Sequence, residues 1–595
     1  MFESFTQNYT PIGNVYVSAI FAAIPVVIIL VMLGVLRTQA HWSALAGLVS
    51  ALLLAILFYA MPVGLALSSA VLGALFGLWP IVWIVINALF LHNLTVETGK
   101  FDTVRNALAN LTTDRRIQAL IIAFAFGALL EGIAGFGAPV AITAAILASL
   151  GFNPIYAAAI ALLANTAPVA FGSLGVPVTT LGGLVAPIVG GDATEVTNQL
   201  SAMIGRQLPI FSLIVPGFMV FVMAGWRGMI QVLPAVLTAG ISFALGQFLA
   251  ANFLGPVLVD VLAALFALAA LYLLLRIWQP ETTWRFPDEP EEETPDRDAP
   301  SGGPAGGGPR PAAGPASGFA AGSASFGRGS GNSTLQGFLP YIILIVIVIL
   351  SRITDLIPGL KGTLLDIPAA LNKATFKFSW PGLDGLVTRV EPIVPSPAPY
   401  AAEFTFNILS AAGTVVLFSA IIAGFVMGAG LGTMLRVYGQ TLNQLKLAIL
   451  TIAMILGIAY VMNYSGATST LGLAFAGTGF FFPFFSAFIG WLGVVLTGSD
   501  TSANALFGPM QVITAQSLGV EPALAGATNS SGGVMGKMIS PQNLSVGASA
   551  IGQAGREPDI FRLTIKWSLI LTVAMGILAM IQAYLIPGII PVLGG

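Results

Sequence analysis

Charge is what this chain has least of. Of its 595 residues, 8% are charged and 56% hydrophobic, and the two signs nearly cancel to a net charge of −2. A soluble domain carries roughly 25% charged residues, so this chain cannot clothe a water-facing surface, and a soluble enzyme is excluded. Cysteine is absent, which excludes disulfides, iron–sulfur clusters and thiolate metal sites. With two histidines in all and few acids inside apolar stretches, no metal site and no cofactor is expected. No basic cluster offers itself to a nucleic acid. What the chain does have is repeated apolar runs, and runs of about 20 residues read as membrane-spanning helices. They do not alternate apolar with polar residues, so a transmembrane β-barrel is also excluded.

The first run, Val15 to Leu36, is too long for a signal-peptide core and has no basic front, so it reads as a retained helix. Runs follow at 42–60, 68–91, 117–130, 138–150, 155–171, 208–224, 230–251 and 257–276. A second series covers 338–350, 404–431, 447–460, 484–496, 505–517, 523–538 and 563–586. Runs of about 10 to 14 residues are too short to span and suggest half-helices or re-entrant hairpins. The expectation is an all-α polytopic membrane protein with 12 to 14 transmembrane helices. Arg37 lies two spans from the loop holding Lys100, Arg105, Arg115 and Arg116, and Arg227 lies two spans from Arg276. Short basic loops stay cytoplasmic, which places the N-terminus outside. Residues 1–278 form a first half and 337–595 a second, which includes an external loop at 351–400. Between them, 279–336 runs from an acidic, Pro-rich stretch into a Gly/Pro/Ala/Ser tract, a composition expected of a disordered cytoplasmic linker.

The halves share a pattern. Phe136-Gly137 and Ile142-Thr143-Ala144 recur at the same spacing as Phe507-Gly508 and Ile513-Thr514-Ala515. Asn165, Gly172 and Pro177 recur likewise as Asn529, Gly536 and Pro541. Duplicated halves with helices broken at matching places mark secondary transporters, whose substrate sites lie at the breaks.

The candidate chemistry sits at those breaks. Glu131 to Pro139 packs three glycines and a proline into nine apolar residues, a combination that breaks a helix. Gly135, Gly137 and Ala138 would turn the chain so that Pro139 opens a half-helix, whose free N–H groups favour an anion. Gly498 to Asn504 is the corresponding break, dense in Ser499, Thr501, Ser502 and Asn504, with a second half-helix expected to start near Gly508. Glu131 is the sole acid between Ile117 and Ala148. An acid there is a functional candidate by default, here for carrying a proton, with an interfacial helix end as the alternative. Asp500 has the same candidacy, with helix capping as its alternative. Asn165 and Thr166 pair with Asn529, Ser530 and Ser531 as ligands for a hydroxyl or carboxylate, or as interhelical glue. Lys537 would face a substrate carboxylate, or snorkel to an interface. His92 reads as a helix-end residue and Asn463 to Ser469 as further hydroxyl-bearing helix end.

These stretches carry a resemblance. Glu131 to Ala141, Asn165 to Gly172, Gly498 to Gly508 and Thr528 to Gln542 are similar to the lactate permease family, and the likeness covers most of the chain outside 279–336 and the loop after Ser351. The resemblance implies a prokaryotic plasma-membrane symporter for L-lactate, D-lactate and glycolate driven by protons. It also implies inverted repeats and elevator-type movement, as in the wider ion-transporter superfamily. A dicarboxylate, gluconate or sodium-coupled transporter of the same architecture is the nearest rival, and an anion channel a rival of another class. The expected partners are substrate, protons and the lipid bilayer. Monomer and homodimer both stay open.

Overall fold

The computed structural model describes residues 3–594 apart from Arg37, Phe136, 287–330, Arg352 and Leu364. Arg37, used above for orientation, and Phe136 of the first break thus lie outside the described residues. The chain is helical nearly throughout, because a backbone in hydrocarbon must satisfy its own hydrogen bonds. Among the described residues, ten helices are long and apolar enough to cross a membrane, and the bent pair Val15–Ala22 and Ile24–Leu33 makes up to eleven. Four shorter apolar helices accompany them: Ala138–Ser149, Pro154–Asn165, Gln336–Ser351 and Ala412–Val426. Their outer faces carry large apolar side chains in the open, such as Leu57 at 77% and Leu273 at 63% exposure. That pattern suits lipid and would be a liability in water.

Several elements depart from expectation. The first run is not one straight helix but bends by 42° between its two parts. The expected span at 68–91 is longer, running Val63–Glu97, and is interrupted at Trp79, whose φ −132° and ψ 120° are extended. His92 therefore lies inside the helix Trp83–Glu97, buried, edge-on to Phe101. Two helices were not anticipated, Gly172–Val189 and Ala193–Ile204, because proline and polar residues disguise their apolar faces. The helix Leu431–Ser465 starts well before Leu447, since Arg436, Gln440 and Lys446 mask its first turns. The expected span from Phe404 starts instead as a strand, Glu403–Asn407.

Both ends of the stretch 279–336 belong to the described structure. Residues up to Phe286 dock on the bundle, with Phe286 buried against Phe152 and Tyr156. A buried ion pair holds them: Arg116 and Asp114 stand 2.6 Å apart. Arg116 also donates to the Thr282 carbonyl at 2.8 Å, and the Trp284 N–H donates to Asp114 at 3.0 Å. At the other end the helix Gly331–Ser351 has already begun. The stretch 287–330 lies outside the described residues.

The loop 351–400 folds. Thr375–Ser379 pairs antiparallel with Glu403–Asn407, and Val387–Arg389 pairs antiparallel with Ala398–Pro399. Phe5–Thr6 joins the second sheet in parallel beside Val387 and Thr388. The N-terminal segment and this loop therefore share one side of the bundle, and a small β cap tops the helical core.

Candidate functional site

Two hairpins and two interrupted helices meet at one cavity. The first hairpin is Arg115–Ile133 and Ala138–Ser149, turned through Gly135 (φ +57°) and Gly137 (φ +82°), a region that favours glycine. Pro139 is the second residue of the restarted helix, where its missing N–H costs nothing. The second hairpin, Phe482–Thr497 and Asp500–Leu518, turns at Gly498 (φ +72°), and Ser499 caps the new helix by accepting from the Ser502 N–H at 3.3 Å. The helix Pro154–Asn165 is followed by Gly172–Val189, whose Ser173, Leu174 and Gly175 are left-handed (φ 49°, 58°, 78°), so right-handed helix resumes at Val176. The helix Pro522–Gly536 passes through a tight turn at Lys537–Ile539 into Pro541–Ala550, capped by Ser540.

The cavity has about 490 Å³ of empty space, counting its open mouth. It is lined by Glu131, Gly137, Val169, Gly172, Ser173, Val176, Pro177, Gly498, Ser499, Asp500, Thr501, Lys537, Gln542 and Asn543. Four helices thus begin at its wall, near Gly137, Val176, Ser499 and Gln542. Their unpaired N–H groups and positive dipole ends favour an anion there.

Two polar clusters flank it. In the first, Lys537 Nζ stands 2.8 Å from Glu131 Oε1, and Asn165 Nδ2 donates to Glu131 Oε2 at 2.8 Å. Both charges are nearly inaccessible, Glu131 at 3% and Lys537 at 6% exposure. Lys537 is therefore no snorkelling side chain. It is the counter-ion of Glu131, and the pair bridges the two halves of the chain. In the second, Asp500 accepts from Ser530 Oγ at 2.5 Å and from Asn504 Nδ2 at 3.3 Å. The network runs on through Asn529 Nδ2 to Asn504 Oδ1 (2.8 Å), Gln511 Nε2 to Asn529 Oδ1 (2.6 Å), and Ser486 to Gln511. One oxygen of Asp500, Oδ1, has no hydrogen-bond partner.

The predicted residues divide accordingly. Glu131, Gly137, Ser499, Asp500, Thr501 and Lys537 line the cavity. Asn165, Asn504 and Ser530 stand behind it and hold its acids, and Asn529 in turn holds Asn504. Gly135 shapes the hairpin tip, with Ala138 opening the helix after it. Thr166 bonds its own helix at Leu162, and Ser531 Oγ is buried without a partner, neither at the cavity wall. Ser502 supplies only its N–H to the cap. The half-helix expected near Gly508 is not there: Asp500–Leu518 runs unbroken through it. A Cβ at Gly508 would stand 2.3 Å from Leu181 Cδ1, so that glycine serves helix packing. The matching of Gly137 with Gly508 thus pairs a hairpin tip with a helix interior, whereas Pro177 and Pro541 do both open restarted helices. Asn463, Thr468 and Ser469 line a separate small cleft with Arg389 and Tyr400.

Sequence reading passed over Ser173, Gln542, Asn543 and Asp260. The first three adjoin breaks already located. Asp260 is an acid at the start of an apolar run, where the rule applied to Glu131 points equally.

The sequence matches the family described as L-lactate permease over residues 18–586. It is 43% identical to "Glycolate permease GlcA" of Escherichia coli (strain K12) over 588 residues, 99% of each chain. It is 43% identical to the "L-lactate permease" of Bacillus subtilis (strain 168), covering 98% of this chain and all of that one. Identity to the Escherichia coli (strain K12) "L-lactate permease" is 42%, over 98% of this chain and 99% of the relative. The chain belongs to the L-lactate permease family.

Proposed function

We propose that this multi-pass protein of the bacterial plasma membrane carries L-lactate and related 2-hydroxymonocarboxylates such as glycolate inward together with a proton. The observation that carries the reading is the buried Lys537–Glu131 pair in the wall of a cavity ringed by helix starts. An incoming carboxylate gains the helix ends, but Lys537 is already neutralised. When Glu131 takes a proton, the ammonium is released to the substrate, and the buried cluster stays neutral. Charge at membrane depth is costly unless compensated, so proton and anion enter as a pair. Ser499, Thr501 and Asn543 are within the same wall to receive the 2-hydroxyl. One proton with one monoanion moves no net charge, so uptake follows the pH gradient rather than voltage. The two hairpins and their partner helices act as an inverted pair that moves against the rest of the bundle.

Labelled L-lactate uptake into proteoliposomes under an inward proton gradient, with and without sodium, tests this. Accumulation above equilibrium that a protonophore collapses and sodium leaves unchanged is expected. Equilibration without accumulation would mean a channel. Sodium-dependent accumulation would replace the coupling ion, and absence of lactate flux by folded protein would replace the substrate.

A further inference from the structure

Asp260 has no visible structural purpose. It is the second residue of the helix Val259–Ile277, 1% exposed, and among the described residues neither carboxyl oxygen has a hydrogen-bond partner. A helix-capping or ion-pairing role would leave a bond in place, and none is formed. The site is nevertheless built around it. Gly132, next to Glu131 in the chain, abuts it so closely that a Cβ there would stand 2.7 Å from Asp260 Cβ. Glu131 and Lys537 are the ionisable groups whose charges reach it. The other helices packed against its own are Leu120–Phe126, Gly172–Val189, Leu233–Phe253 and Gly331–Ser351, and the titratable side chain among them is Tyr341.

Charge counting gives this placement a meaning. Lys537 and Glu131 already cancel. An ionised Asp260 would be a bare buried charge, which is far costlier than a neutral carboxyl. The cluster of two carboxyls and one ammonium is neutral only with one proton on a carboxyl.

We propose that Asp260 is a further proton-binding residue of the transport cycle, holding a proton at rest and passing it to Glu131 as substrate binds. This rests on the reading above that Glu131 is protonated when Lys537 turns to the substrate. In the transfer the Asp260 O–H bond breaks and a Glu131 O–H bond forms. The vacated Asp260 carboxylate then takes up the one proton that enters from the outer solution with each substrate, and Glu131 releases its own on the inner side. Nothing else is consumed.

Infrared difference spectroscopy on the whole protein in lipid reads the proton without any substrate. A protonated carboxyl has a carbonyl stretch distinct from a carboxylate's. Aspartate labelled with carbon-13 in its side-chain carboxyl should shift such a band at neutral pH, the shifted band should persist in Asp500→Asn, and Asp260→Asn should remove it. In proteoliposomes, Asp260→Asn should lower pH-gradient-driven lactate uptake at least tenfold. The isotope experiment on the unsubstituted chain needs no variant to fold. Absence of an isotope-shifted protonated-carboxyl band would overturn the proposal, as would Asp260→Asn driving uphill uptake normally. If the band behaves as expected and lactate is not transported, the proton site stands and the substrate reading falls.

Discussion

One methyl group added at Gly172 should uncouple the site while leaving the fold alone. The backbone there is φ −60°, ψ 157°, open to any residue, so an alanine brings no conformational strain. Its Cβ, however, would stand 2.6 Å from Glu131 Oε1. Ordinary contact is about 3.5 Å, so the carboxylate must withdraw by about 0.9 Å. The same oxygen accepts from Lys537 at 2.8 Å, and withdrawal stretches that bond past hydrogen-bonding range. A hydrogen bond to a charged group contributes about 1.5–3 kcal/mol, which at 1.36 kcal/mol per tenfold is roughly 10- to 150-fold. Gly172→Ala should lower proton-driven lactate uptake by that factor, with the protein still monodisperse. The control is Gly127→Ala in the same hairpin, where the new Cβ meets Thr143 Cγ2 at an ordinary 3.4 Å and uptake should stay within about twofold. Both glycines exchanged with equal and small effect would refute the claim that the Glu131–Lys537 contact couples transport.

Glu131→Gln should abolish the response to a pH gradient while exchange of labelled for unlabelled lactate persists. A gradient of one pH unit supplies 1.36 kcal/mol, enough for about tenfold accumulation in the parent, and the variant should reach a ratio near one. Arg116→Met breaks the buried pair with Asp114 that anchors Thr282 and Trp284. Breaking such a pair costs about 3–5 kcal/mol, so the variant should lose thermal stability in detergent and become cleavable near Trp284 by protease. Asp192 caps the helix Ala193–Ile204 and faces Lys377 of the β cap at 3.5 Å. Burial raises its carboxyl, but the Thr194 and Glu195 N–H groups and Lys377 outweigh that and hold it below the usual range. Being depressed in the folded state, it stabilises above the ordinary carboxylate range, and that contribution is lost as pH falls through its own titration. Amide protection factors at 193–196, taken relative to the intrinsic exchange rate at each pH, should therefore fall on acidification, and Asp192→Asn should remove the effect.

The class of molecule and the positions of the breaks were legible because both rest on local rules. Apolar length gives spans, and Gly with Pro at membrane depth gives turns, as at Gly135 to Pro139 and at Gly498. The alternation of function between Gly137 and Gly508 was not legible. Each glycine follows a phenylalanine in the sequence, yet Gly137 sits at a hairpin tip while Gly508 lies in a packed helix against Leu181. Polar residues misled in the same way. Arg436 and Lys446 argued against a helix that tertiary contacts sustain, and the prolines of Gly172–Val189 hid a span. The β cap escaped altogether because its register depends on Phe5–Thr6, hundreds of residues from Val387–Arg389.

Why the site needs both halves follows from the charges. Glu131 belongs to the first hairpin and Lys537 to the second interrupted helix, 406 positions apart in sequence. Neither half could bury its charge alone, since an isolated ion at that depth would draw water or a proton to itself. Joining them makes each the condition of the other's burial, and the neutral pair can then be opened by a single proton. A site held by polar but uncharged groups, like the Asn504–Asn529–Gln511 chain behind Asp500, binds without that sensitivity. On the proposed coupling, the Asp500 carboxylate is held by amide and hydroxyl groups that do not titrate, while Glu131 would exchange Lys537 for a proton.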